Sequence, residues 1–186
     1  MSLSAAAGIV RLARFRADGL AAFDASPAGL LNALAPWIAF AVVGFVLAMI
    51  GGAARDAVGA LLASAVALLA PPVIAQALAR WFGRAGQWLR YAVAITWCQW
   101  IMPPLLLVAM MASTLLLALD LPQRLAEILV AVAVLGYAVA LQVFVARAAL
   151  AITLLRAVVF SVAVQVGTFA LVIGPLLLGE AWRSGG

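Results

Sequence analysis

At 186 residues, with 69% hydrophobic and 9% charged side chains, the chain is far more apolar than a soluble domain, where about a quarter of residues are charged. A chain this short cannot fold so much apolar surface inward, which excludes a soluble globular protein and leaves one membrane-embedded domain. The net charge of +5 comes wholly from arginine and points to loop topology and anionic headgroups, not to nucleic acid, for which no soluble basic face exists.

Histidine is absent and Cys98 is the single cysteine. The commonest general base, the commonest metal ligand and any intrachain disulfide are thereby removed, so neither metal nor cofactor is expected. The lysine-free, alanine- and arginine-rich composition points to a GC-rich bacterial genome, and hence to an inner (plasma) membrane.

Residues 1–25 place Arg11, Arg14 and Asp18 on one helical face and Ile9, Leu12, Ala13 and Leu20 on the opposite one, with Arg16 interrupting the apolar side. The pattern predicts a cytoplasmic amphipathic helix lying in the interface, its arginines reaching toward headgroups. A disordered basic tail is the alternative. The arginines follow the first apolar run, unlike those of a secretory signal peptide.

Ser26-Pro27 reads as a helix start, with a capping serine and then a proline whose missing N–H costs nothing at that position. The first span follows over residues 28–50, and Gly51-Gly52 stop it. Arg55 and Asp56 mark a tight turn before a second span, residues 57–79, which contains Pro71-Pro72. Within it Gly59, Ala63 and Ala67 form a small-residue stripe suited to close approach of a neighbouring helix.

Arg80 to Arg90 is the most polar loop, flanked by Trp81 and Trp88 as interface anchors. The third span, residues 91–118, holds Thr96, Trp97, Cys98, Gln99 and Trp100, then Pro103-Pro104. Asp120 to Arg124 turns the chain again. Arg147 and Arg156 divide what remains, because an arginine at mid-bilayer costs about 2.5–3.5 kcal/mol even on the lenient insertion scale. The fourth span is therefore 125–146 and the fifth 157–178, joined by a surface turn or half-buried helix, with 180–186 a short external tail. The expected fold is an all-α polytopic bundle: five transmembrane helices within residues 26–179, preceded by the interfacial helix.

Five spans set an orientation. One side carries eight arginines (Arg11, Arg14, Arg16, Arg80, Arg84, Arg90, Arg147, Arg156) and the other three (Arg55, Arg124, Arg183). The positive-inside rule puts the N-terminus in the cytoplasm and the C-terminus outside.

Spans two to five each carry one glutamine: Gln76, Gln99, Gln142 and Gln165. Measured from the nearest cytoplasmic arginine at about 1.5 Å per residue, Gln76 and Gln142 are shallow, and Gln99 and Gln165 deep. A buried amide in lipid needs a partner, and Gln99 with Gln165 is the natural pair. The bland reading is structural glue; the sharper one is a polar ligand pocket. The pairs Pro71-Pro72 and Pro103-Pro104 remove backbone donors inside adjacent spans, as simple kinks or as the helix breaks that form transport sites. Trp97 and Trp100 share a helical face and read as aromatic packing. The acids lie in loops and tails, apart from Glu127, three residues after Arg124 near a span end. No buried carboxylate pair, triad or metal spacing supports catalysis, so an enzyme is not expected.

Ser26-Pro27-Ala28-Gly29-Leu30-Leu31 before the first span, and the basic, alanine-containing link Ala146–Ala157 into the last, resemble the Yip family of small five-span membrane proteins and its bacterial relatives. The layout is similar over nearly the whole chain. The long cytosolic N-terminal region of eukaryotic members is missing, so their Rab GTPase binding does not carry over. The resemblance implies a non-enzymatic membrane organiser. Its expected partners are membrane lipids, anionic ones among them, and another membrane protein or a second copy. Arg80, Arg84, Arg90, Arg147 and Arg156 would meet the headgroups or partner, the alternative being that they only set the topology. A small transporter or channel subunit using Gln99 and Gln165 near the proline breaks is the alternative.

Overall fold

The computed structural model describes residues 3–52 and 54–184, with side chains described within 4–52 and 57–174. The seven α-helices are α1 (Leu3–Ala13), α2 (Pro27–Ile50), α3 (Ala54–Trp81), α4 (Trp88–Cys98), α5 (Met102–Ala118), α6 (Gln123–Leu150) and α7 (Leu154–Ser184), and no strand occurs among the described residues. Five stretches are long and apolar enough to cross a membrane: Pro27–Ile50, Ala57–Trp81, Ala85–Ala118, Gln123–Leu150 and Leu154–Gly174. The all-α bundle of five apolar spans is therefore the architecture, and its boundaries lie within a few residues of those read from the sequence, except where α6 and α7 run on.

Local chemistry explains the helix ends. Ser26 caps α2 by accepting the Gly29 N–H at 3.0 Å, and its own hydroxyl donates to the Asp24 carboxylate at 2.7 Å. Gly29 is obligatory there, since a Cβ would overlap the Asp24 carbonyl. Arg55 and Asp56 do not form a separate turn; the backbone is already helical from Ala54, and their side chains lie outside the described residues. The anticipated external tail is helical too, as α7 continues to Ser184, while residues 185–186 lie outside the described part.

Of the two joints expected between the last two spans, a surface turn or a half-buried helix, the structure has the turn. Arg147 sits in the last turn of α6, and α7 restarts at Leu154. Ala151 makes the turn in the left-handed conformation, φ 51° and ψ 48°, a role usually given to glycine. Alanine accepts it at modest cost, which is why no glycine or proline marks the joint in the sequence.

The principal helix contacts run α2–α3–α7–α6–α5, with α4 packed against α2, α3 and α6. Burial concentrates at the end that carries Arg80, Arg90, Arg147 and Arg156. There Ala79, Tyr91, Ala146, Ala149, Ala157 and Phe160 interlock, with Tyr91 edge-on to Phe160 at 5.0 Å. Toward the opposite end burial falls away, although Ala57 and Ala126 are still enclosed. No residue of α5 is buried, and large side chains such as Leu47, Leu62, Met110 and Val132 stand exposed. In lipid, apolar surface gains nothing from being hidden, so the spans need tight contact only where shape demands it.

The close contact of α3 with α7 is made by Gly167, where an added Cβ would come 2.9 Å from Ile74 Cδ1. The Gly59–Ala63–Ala67 stripe does not serve this purpose, because all three residues are exposed and a methyl group added at Gly59 would meet no neighbour within 4 Å.

Residues 1–25 depart from a single interfacial helix. After α1 the chain reverses through Phe15, φ 56°, and returns as the 3-10 helix Ala17–Ala22. Gly8 and Gly19 allow this hairpin to close: a Cβ on Gly19 would lie 2.8 Å from the Gly8 carbonyl oxygen. The apolar face read from the sequence is real, but protein covers it. Ile9, Leu12 and Leu20 join the core formed with α4 and α6. On the expected charged face Arg11 lies 3.9 Å from the Asp18 carboxylate, and Arg16, expected to interrupt the apolar side, pairs with the same carboxylate at 2.9 Å.

Candidate functional site

The two proline pairs act differently. Pro103 and Pro104 cannot donate to the carbonyls of Gln99 and Trp100 four residues earlier. The helix answers by tightening into the 3-10 turn Gln99–Ile101, in which the Met102 N–H bonds the Gln99 carbonyl. That turn separates α4 from α5. Pro71 and Pro72 cause no such interruption; α3 runs through them. The carbonyls of Ala67 and Leu68 nevertheless lose their usual donors.

Pro71 and Pro72, together with Gln99, Gln142 and Gln165, line one small pocket of about 60 Å³, where Tyr91, Thr96 and Leu68 also contribute. Three of the four glutamines thus converge from α4, α6 and α7. Gln76 does not line this pocket, and neither Pro103 nor Pro104 does; both prolines are exposed. The expected Gln99–Gln165 hydrogen bond is absent: among the described residues none of the four glutamine side chains forms a hydrogen bond. Thr96 has instead turned its hydroxyl back to the Ala92 carbonyl at 2.8 Å. The amides therefore keep their hydrogen-bonding capacity for an occupant of the pocket.

Gln99 and Leu68 also border a second, larger cavity of about 530 Å³ between α2 and α3. Its walls include Trp37, Phe40 and Ser64, residues the sequence reading did not single out. Trp37 lies against Trp100, with ring centroids 5.4 Å apart, and Phe40 completes the cluster at 6.1 Å from Trp100. The indole N–H groups of Trp37 and Trp100 are shielded and have no acceptor. Trp97 and Trp100 both pack against the core but make no ring contact with each other; Trp97 borders another cavity beside Phe23 and Asn32.

The five arginines occupy the packed end of the bundle, at the close of α3 (Arg80), in the following loop (Arg84), in the first turn of α4 (Arg90), in the last turn of α6 (Arg147) and in the first turn of α7 (Arg156). All but Arg84 are exposed, and none forms an ion pair among the described residues. At the other end, Glu127 accepts a hydrogen bond from Gln123 at 2.8 Å and makes no ion pair with Arg124. No family model, curated protein or solved structure matches the chain.

Proposed function

We propose that the chain is a non-catalytic organiser of the bacterial inner membrane, N-terminus inside and C-terminus outside, that gathers anionic lipid at its cytoplasmic face. One observation carries this reading: Arg80, Arg84, Arg90, Arg147 and Arg156 meet at a single packed end of the bundle without acidic partners among the described residues. Unpaired guanidinium groups on a rigid base suit phosphate, which they bind in forked geometry. The five-span layout, similar to that of the Yip family, supports the same non-enzymatic class.

Extraction in native-lipid particles, followed by mass spectrometry, tests the proposal. Enrichment of an anionic lipid, lost when Arg80, Arg84 and Arg147 are replaced by glutamine, is the expected result. A lipid complement equal to the bulk membrane in both proteins would overturn it, and a stoichiometric protein partner in place of lipid would move the role to protein binding. A reporter fusion on the variant shows that its orientation is retained.

The convergence of Gln99, Gln142 and Gln165 beside Pro71 and Pro72 favours a second reading, a small transporter with a polar site in its spans. Here Gln99→Leu abolishes flux in proteoliposomes. Under the organiser reading the same change leaves lipid enrichment intact.

A further inference from the structure

The cavity between α2 and α3 has the features of a ligand site in its own right. Its volume of about 530 Å³ falls within the range of small-molecule pockets, about 300–1,000 Å³. No charged residue lines it. Trp37 stands ten residues into α2, hence about 15 Å along the helix and near the middle of a bilayer about 30 Å thick. A molecule reaching that depth arrives through lipid and is neutral.

The wall carries unmet groups of both kinds: the carbonyls of Ala67 and Leu68, freed by Pro71 and Pro72, and the donors of Trp37 and Gln99. The Trp37 N–H is unpartnered, as is that of Trp100 behind it, and the Gln99 amide forms no hydrogen bond among the described residues. The Ser64 hydroxyl is already committed to the Ala60 carbonyl at 2.8 Å. A lipid acyl chain would leave the donors unmet. An occupant that satisfies them has oxygen acceptors, and the tilted Trp37, Phe40 and Trp100 rings offer it flat apolar surfaces. We propose that this cavity binds a membrane-soluble ligand of the quinone class: a flat neutral ring with carbonyl acceptors and an apolar tail lying between α2 and α3 toward the lipid. The Trp37 N–H and the Gln99 amide meet the carbonyls. Both indole N–H groups lie under neighbouring atoms, so seating the ring turns Trp37. The site is separate from the arginine end, and its occupancy does not depend on the lipid-organising reading.

The test compares a decyl-substituted benzoquinone with decylbenzene on the purified full-length protein in detergent, reading the thermal unfolding midpoint against concentration. The quinone raises the midpoint saturably and decylbenzene does not. Trp37→Phe shifts half-saturation upward about tenfold, the loss of one hydrogen bond to a carbonyl. Ala65→Phe, which fills the cavity from α3 while sparing both indoles, abolishes the response. Equal stabilisation by decylbenzene means that an acyl chain is the occupant and overturns the proposal. So does the absence of saturable stabilisation by either compound, or an undiminished response in Ala65→Phe.

Discussion

Tyr137, halfway along α6, donates its hydroxyl to the Ala13 carbonyl at 2.7 Å, joining residues 124 apart in sequence. Ala13 ends α1, where the chain reverses and supplies no helical donor. Phe15 adds edge contacts to Tyr137 and Phe144 at 5.7 and 5.5 Å. Tyr137→Phe removes only the hydrogen bond and should weaken docking of the hairpin by about 1 kcal/mol. Hydrogen exchange across residues 3–22 should quicken while α6 stays protected. Unchanged exchange would assign the docking to Ile9, Leu12 and Leu20 alone.

Gly29→Ala should destabilise the bundle by about 1–3 kcal/mol, because the new methyl collides with the Asp24 backbone and the Ser26 cap must open. Gly136→Ala, where nothing lies within 4 Å, should be neutral or stabilise α6 by up to about 1 kcal/mol. Unfolding both variants by titration with SDS makes the comparison; equal effects would remove the steric argument.

Ala151→Gly should raise stability by several tenths to about 1 kcal/mol. The exposed Ala151 methyl is held at φ 51°, a conformation glycine adopts freely, although the looser unfolded chain offsets part of the gain. A fall in the SDS midpoint would show that the joint tolerates alanine without strain.

Phe160 is wholly buried against Tyr91 and Phe82, whereas Phe169, on the same helix, faces outward. Phe160→Ala leaves a cavity and should cost about 3 kcal/mol, while Phe169→Ala should change little, since lipid refills its place. Similar losses at both positions would indicate that Phe169 meets protein in the membrane.

A periplasmic reporter fused after Arg84 should be inactive, and one fused after Arg124 active, if the arginine-bearing end faces the cytoplasm. The reverse pattern would move the proposed headgroup contacts to the opposite leaflet.

The five spans were legible in the sequence, and so was the start of the first, while α6 and α7 run past the ends expected of them. Arg80, Arg90, Arg147 and Arg156 cannot sit in hydrocarbon, and Ser26-Pro27 and Gly51-Gly52 punctuate the chain through local backbone chemistry that needs no partner. The polar residues of the candidate site were legible as a class, though not as a set: Gln142 joins Gln99 and Gln165, and Gln76 stays out. Trp37 gave no signal at all before α2 was seen against α4. The cause is common to these cases. In a soluble helix, periodicity separates the buried face from the wet one, but these spans are apolar all round. The sequence therefore determined depth along each helix, through the cost of charge in lipid. Which faces meet was left to packing, and so only the tertiary structure decided it: small residues such as Gly167 and Ala149 admit a neighbour, and larger ones hold it away.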